Sequence, residues 1–129
     1  MAQPQVLAQP DKEQIELSKV LSALSNPMRR RVVIELYLDA PLTQRRCTSF
    51  ELPVTKATRT HHFRALREAG LTRMEDRGNE SPTELRTEEL DDRFPGLLAS
   101  VVRAEFADLG LEWAEDAAVS LARYRAARP

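Results

Sequence analysis

The fold of this chain is decided by residues 55–71, which read TKATRTHHFRALREAGL. Thr55 can cap the start of a helix, because its hydroxyl can accept a hydrogen bond from an amide of the first turn. Gly70 marks a helix end, since glycine readily adopts the left-handed backbone that closes a helix. Phe63 and Leu66 fall on one side of a helical wheel. The stretch therefore predicts one short amphipathic helix.

The outer face of this helix, residues 55–69, combines small side chains near its start with cations and hydrogen-bonding groups. A recognition helix in the DNA major groove needs close approach, partners for base edges and partners for phosphates. An ordinary solvated helix can carry the same charges, so the helix alone leaves both interpretations open. The predicted outer face consists of Ala57, Thr60, His61, Arg64 and Glu68, flanked by Lys56 and Arg67.

A β-hairpin is predicted directly after the helix. Residues 72–77 and 81–87 are partly alternating segments on either side of Gly78-Asn79, a pattern typical of two short antiparallel strands. A helix-turn-helix followed at once by such a hairpin is a winged helix. The hairpin tip of a winged helix usually lies beside the recognition helix, against the DNA backbone or the minor groove.

Two stretches of the chain resemble the ArsR-type winged-helix transcriptional regulators of bacteria. Residues 23–32, ALSNPMRRRV, are similar to that family's ALsdPtRlrIL helix start, and residues 55–71 are similar to its S-x-x-T-x-S-H-H-L-x-x-L-r-e-A-G-L recognition helix. The resemblance spans about residues 14–90. It implies a mainly α fold with a small β-hairpin: a winged helix-turn-helix of five to six helices, forming a homodimer. The implied function is a sequence-specific DNA-binding transcriptional regulator, most simply a repressor.

Charge is divided unevenly along the chain, although the formal net charge is only −1. Residues 27–74 hold ten Lys or Arg against four Asp or Glu, whereas residues 75–129 hold seven against thirteen. A basic block that coincides with the predicted helix-turn-helix favours nucleic-acid binding. The acidic block would also keep the protein soluble.

The other elements are predicted from apolar spacing and caps. Residues 11–24 form a first helix, and Asn26-Pro27 starts a second that runs to about Leu38. Thr43 caps a short, poorly patterned helix through about Phe50, the first helix of the helix-turn-helix. In chain order, the predicted units are a disordered tail over residues 1–10, a winged helix-turn-helix DNA-binding domain over residues 11–93 and C-terminal helices over residues 94–129.

Apolar residues recur at three- and four-residue spacing after the hairpin, with an interruption at Gly110. They are more numerous than one small domain needs, so we expect them, with the first helix, to form a homodimer interface. Packing within one protomer is the alternative for some of them. A two-fold dimer would present two recognition helices to successive major grooves. The residues are Phe94, Leu97, Leu98, Val101, Val102 and Phe106, then Trp113, Ala117, Leu121 and Tyr124.

The candidate DNA-binding residues divide by role. Base-edge contacts are expected from Thr60, His61 and Arg64, because arginine can bridge guanine O6 and N7 and a threonine methyl can meet thymine. Ala57 can also offer a methyl to thymine. Phosphate contacts are expected from Lys56, Arg67, Arg73 and Arg77, and from backbone amides at Thr43 and Gln44.

Two features depart from the family pattern. Acidic residues near the hairpin tip, Glu75, Asp76 and Glu80, should repel phosphate and weaken contacts of the wing with DNA. Arg59 falls on the buried side of the wheel, where the family usually has an apolar residue, and it receives no DNA role.

A metal or redox site is a separate question for this family. Many relatives bind metal through a Cys-x-Cys pair, but this chain has Cys47 alone, and no histidine follows His62. Because tight zinc sites typically use three or four ligands, we expect no metal and no cofactor. Cys47 follows two arginines, which favour the reactive thiolate, so it is a candidate redox residue. A small packing residue is the simpler interpretation.

Other function classes have weaker support. The chain lacks a glycine-rich phosphate loop, a nucleophile elbow and a metal triad, so we do not expect an enzyme. The alternatives are a winged-helix module that binds protein without specific DNA binding, and a repressor that responds to redox or to an organic ligand near Trp113 and Tyr124. The first residues lack a signal-peptide core and no apolar run could cross a bilayer, so we expect a cytoplasmic protein with an unknown effector.

Overall fold

The computed structural model describes residues 8–39, 45–75 and 82–127. Within them, the structure has six α-helices and a small three-stranded antiparallel sheet, which confirms the predicted mainly α winged-helix fold. The helices are α1 (Leu17–Leu24), α2 (Pro27–Leu38), α3 (Lys56–Ala69), α4 (Thr87–Arg93), α5 (Leu97–Asp108) and α6 (Ala117–Ala126). The strands are β1 (Arg45–Arg46), β2 (Thr72–Met74) and β3 (Pro82–Leu85), in the spatial order β1-β3-β2.

The start of α2 is fixed by its cap, as predicted. Asn26 Oδ1 accepts from the backbone amides of Met28 at 2.9 Å and Arg29 at 3.3 Å. Pro27 occupies the first helical position, where a missing N–H leaves no bond unmade. Every residue from Val32 to Leu36 is buried, and α2 packs against α1, α3, α6 and β3.

Two predictions near the start of the chain are wrong. The expected helix over residues 11–24 begins only at Leu17, after a single 3-10 turn at Lys12–Gln14. Residues 8–10 belong to no disordered tail, because the side chain of Gln9 pairs with both backbone groups of Met74. This segment therefore lies along β2, and it is fixed by non-local contacts that the local pattern does not reveal. The rest of the predicted tail lies outside the described residues.

The predicted first helix of the helix-turn-helix is also wrong in form. Residues 45–46 form β1, and only one 3-10 turn, Cys47–Phe50, follows before α3. The segment lacks the apolar spacing of a helix, whereas pairing of Arg45 with Thr83 and Arg46 with Pro82 satisfies its backbone. The hairpin of the wing therefore gains a third strand. Thr43 and Gln44 lie outside the described residues.

The two strands predicted for the wing pair with each other, as β2 and β3. Met74 lies opposite Thr83, and Thr72 lies opposite Leu85. These four side chains are all buried, whereas Arg73 points to solvent. The tip of the hairpin, including Arg77, lies outside the described residues.

The C-terminal apolar stripe packs largely inside the protomer. Phe106 and Tyr124 stack with ring centroids 5.7 Å apart, and Trp113 meets Phe106 edge-on at 5.2 Å. The Tyr124 hydroxyl donates to Glu105 Oε2 at 2.6 Å, and Arg30 donates to the other oxygen of that carboxylate. Tyr124 is fully buried, so α5 and α6 complete a second core cluster against the end of α2. In the part of the chain that the structure describes, every helix is too short or too polar to span a membrane.

Candidate nucleic-acid interface

Helix α3 has the cap geometry that the sequence predicts. Thr55 Oγ1 accepts from the Thr58 amide at 3.2 Å. Gly70 ends the helix with φ of 88°, and its amide returns to the Arg67 carbonyl at 3.0 Å. The helix therefore begins and ends within one residue of the predicted bounds.

The buried face of α3 holds the helix rigidly on the core. Phe63 is 2% exposed, and its ring centroid lies 5.6 Å from that of Phe50 in the preceding turn. Leu66 is fully buried and Ala69 nearly so. These contacts leave the opposite side of the helix exposed to solvent. The packing of the buried face therefore fixes which side chains of α3 face outward.

The opposite face is exposed as predicted. Lys56, Ala57, Thr60, His61, Arg64 and Glu68 are all exposed. Among residues 8–39, 45–75 and 82–127, no hydrogen bond or ion pair involves the side chain of Lys56 or Arg64. Within that part of the chain, both cations can meet an external anion without first breaking an internal bond.

Arg67 is placed differently from the expectation of a simple phosphate contact. Its Nε donates to the Ala8 carbonyl at 3.1 Å, and Nη1 approaches Met74 Sδ at 4.0 Å. The guanidinium thus fastens the N-terminal segment to α3 and β2. A phosphate contact would use the donors that remain.

Arg73 is exposed on the wing but carries its own counter-ions. It pairs with Glu84 at 3.4 Å and with Glu89 at the start of α4. Glu89 also accepts from Arg86 at 2.6 Å, and these bonds lower the pKa of the Glu89 carboxyl below its usual range. Because its charge is compensated, Arg73 is a weaker candidate for phosphate binding than Lys56 or Arg64.

Arg29 contacts α3 in a way that the sequence does not indicate. Its Nε donates to His62 Nδ1 at 3.2 Å, and its Nη2 lies 3.4 Å from His61 Nε2. Burial, together with the Arg29 charge and His61, lowers the pKa of His62. Arg29 comes from α2, more than thirty positions away, so no local pattern could reveal the pairing.

Two further arginines of the region differ in exposure. Arg46, on β1, is exposed and adds a cation that the sequence pattern does not single out. Arg59 is half-buried on α3, consistent with its position on the inner side of the wheel. Arg77, Thr43 and Gln44 lie outside the described residues, so their DNA roles stay predictions.

The arrangement of His, Cys, Asp and Glu side chains within the described residues bears on a metal site. No group of three or more His, Cys, Asp or Glu side chains in the described ranges converges on a point that could hold a metal. Cys47 begins the 3-10 turn Cys47–Phe50, and its redox role stays a prediction.

Comparisons with known proteins leave the family open. No protein-family model matches the chain, and no curated protein matches it.

Proposed function

We propose that this protein is a sequence-specific DNA-binding transcriptional regulator of the ArsR type, which inserts α3 into the major groove. The observation that carries the proposal is the outward face of α3. Exposed cations, small residues and hydrogen-bonding side chains lie there together, on a helix anchored by Phe63 and Leu66. This combination supplies both base-edge and phosphate partners on a rigid support.

The position of each side chain along α3 supports a division of roles. Lys56 and Ala57 lie in the first turn, and Thr60, His61 and Arg64 lie one to two turns further on the exposed face. A small residue such as Ala57 in the first turn lets the helix approach base edges closely, and the longer side chain of Arg64 can reach a base from further along the helix. Arg64 is the candidate for a bidentate guanine contact, and Lys56 is the candidate for a phosphate contact.

The proposed regulator is a homodimer that represses transcription. A two-fold pair of α3 helices matches successive major grooves, so the proposed unit is a homodimer. This homodimer acts in the cytoplasm and represses transcription by covering its operator.

Binding to a fluorescent duplex from the protein's own upstream region tests the proposal. A scrambled duplex of the same composition and a salt titration run beside it. We expect tighter binding to the native duplex, with affinity that falls steeply as salt rises because phosphate contacts release counter-ions. Lys56→Ala should lower the slope of log K against log salt by about 1.

A different result is expected if the protein is a winged-helix module that binds protein rather than DNA. Such a module would show no binding to either duplex at low salt. That outcome would contradict the proposed function.

A further inference from the structure

One buried carboxylate of the protein is surrounded by three guanidinium groups. Glu35, on α2, is 3% exposed. Its Oε1 accepts from Arg45 Nη1 and from Arg125 Nε, each at 3.2 Å, and its Oε2 accepts from Arg31 Nε at 3.2 Å. The arginines come from β1, α6 and α2. The cluster therefore joins α6 to α2 and β1.

Each of the three guanidinium nitrogens of Arg45 is engaged within this cluster. Besides Glu35, its Nε donates to Ser49 Oγ at 3.1 Å and its Nη2 donates to the Ser49 carbonyl at 3.0 Å. Asp39 lies 3.9 Å from Nη1, and the guanidinium stacks 4.0 Å from the centroid of the Phe50 ring. Arg45 is thus a structural cation that holds the 3-10 turn.

Arg31 and Arg125 are only partly occupied. Each donates to Glu35 through Nε, and among the described residues their terminal nitrogens donate to nothing else. The Arg31 side chain is 12% exposed, so it cannot easily turn into water, whereas that of Arg125 is 47% exposed. Glu35 and Asp39 carry two negative charges against the three guanidiniums, so one positive charge stays uncompensated in a partly buried place.

These groups line an open, polar cleft of about 560 Å³. Among the described residues, Ser49, Phe50 and Glu51 also line it. Glu51 is exposed at the rim, so water screens its charge. A cleft of this size accommodates a small ligand.

We propose that this cleft binds a small oxyanion, the phosphate or carboxylate group of a small ligand, between the terminal nitrogens of Arg31 and Arg125. The forked donors of a guanidinium match the paired oxygens of such a group. The bound anion offsets the positive charge that Glu35 and Asp39 together leave unmatched. This site is separate from the exposed face of α3 and does not depend on DNA binding.

Titration with inorganic phosphate, followed by amide NMR signals, tests the site on the full chain. Chloride at matched ionic strength serves as the reference anion. We expect saturable shifts at Ser49, Phe50 and Arg125 with phosphate but not with chloride. Arg125→Gln should weaken binding roughly tenfold, the size expected when one charge-assisted partner is lost.

The matched control is Arg123→Gln, on the same helix. Arg123 is exposed and donates to the Glu112 carbonyl, outside the cleft, so this variant should bind phosphate like the unmodified protein. Arg125→Lys keeps the charge beside Glu35 but loses the fork, and it should also weaken binding. Phosphate shifts no larger than those of chloride, or equal affinity in the Arg125 and Arg123 variants, would overturn the proposal.

Discussion

The partners of each arginine decide which of them can meet DNA. Arg64 makes no internal bond to the described residues, Arg67 holds the N-terminal segment, and Arg73 is compensated by Glu84 and Glu89. A surface arginine that is already paired offers less net charge to a phosphate. It must also break its internal bonds before it can bind one. The proposed interface is therefore centred on α3 rather than on the wing.

His62 predicts a pH dependence of stability at the residue scale. Burial and the Arg29 charge lower its pKa, and its Nδ1 accepts from Arg29, so the folded state resists protonation. Below the ordinary histidine pKa of about 6.5, the unfolded chain gains a proton that the folded chain takes up less readily. The stability contribution of neutral His62 is thus fully present above pH 6.5 and falls as pH decreases through that value.

Urea unfolding of the protein and of His62→Gln between pH 7.5 and 5.5 measures this effect. The difference in unfolding free energy between the two should shrink as pH falls, by at most about 1.4 kcal/mol per pH unit. Restricting the series to this range keeps the Glu89 carboxylate ionised, because its pKa lies below its usual value. A difference that does not change with pH would show that His62 titrates normally.

Elements with explicit end signals could be predicted most closely from the sequence, and the segment just before α3 could not be predicted. Asn26-Pro27 and the Thr55–Gly70 pair of caps fix α2 and α3 to within one residue. The sequence predicts a helix before α3, but β1 forms there through pairing with β3, almost forty positions away. Local pattern carries no information about such a distant partner.

Some features of the candidate site could be predicted from the sequence, and others could not. Exposure along α3 follows from helical periodicity, so the outward position of Thr60, His61 and Arg64 is confirmed. The contact of Arg29 with both histidines and the internal bonds of Arg67 depend on tertiary packing. These contacts require the structure.

Replacing Gly70, at the end of α3, should lower the free energy of unfolding. Its φ is 88°, and an added Cβ would lie 2.7 Å from Ile15 Cγ1, a fully buried side chain. Gly70→Ala should destabilise the protein by about 2–3 kcal/mol, combining left-handed strain with steric conflict. Equilibrium urea unfolding measures the change.

Gly110→Ala is the matched control for this prediction. Gly110 also has a positive φ, 69°, but nothing among the described residues lies within 4 Å of the position that a Cβ would take. Gly110→Ala should lower the free energy of unfolding by only the backbone strain, about 1 kcal/mol. Equal losses of unfolding free energy at the two positions would show that the steric conflict with Ile15 adds nothing to the loss at Gly70.

At the scale of the whole molecule, the exposed apolar residues predict where a homodimer forms. Much of the C-terminal stripe is buried inside the protomer, whereas Leu17 and Leu21 are 45% and 47% exposed on the same side of α1. We therefore expect α1 to supply the centre of the interface. The variant Leu17→Glu/Leu21→Glu should be monomeric and should bind operator DNA less tightly.

Sedimentation at micromolar concentration measures the assembly. Val119→Glu, which alters a similarly exposed apolar residue on α6, should remain dimeric. A monomeric unmodified protein, or a dimer that survives both α1 substitutions, would contradict this interface.

The central claim is that the exposed face of α3 reads DNA sequence, and Arg64→Ala tests it most directly. The control is Arg103→Ala, because Arg103 is also exposed but lies on α5, 4.5 Å over the Trp113 ring. Affinities for the upstream duplex and a scrambled duplex are measured for both variants at one salt concentration. We predict that Arg64→Ala loses about 1–3 kcal/mol of discrimination between the duplexes while Arg103→Ala keeps it. Unchanged discrimination in Arg64→Ala, or equal losses in both variants, would contradict the account.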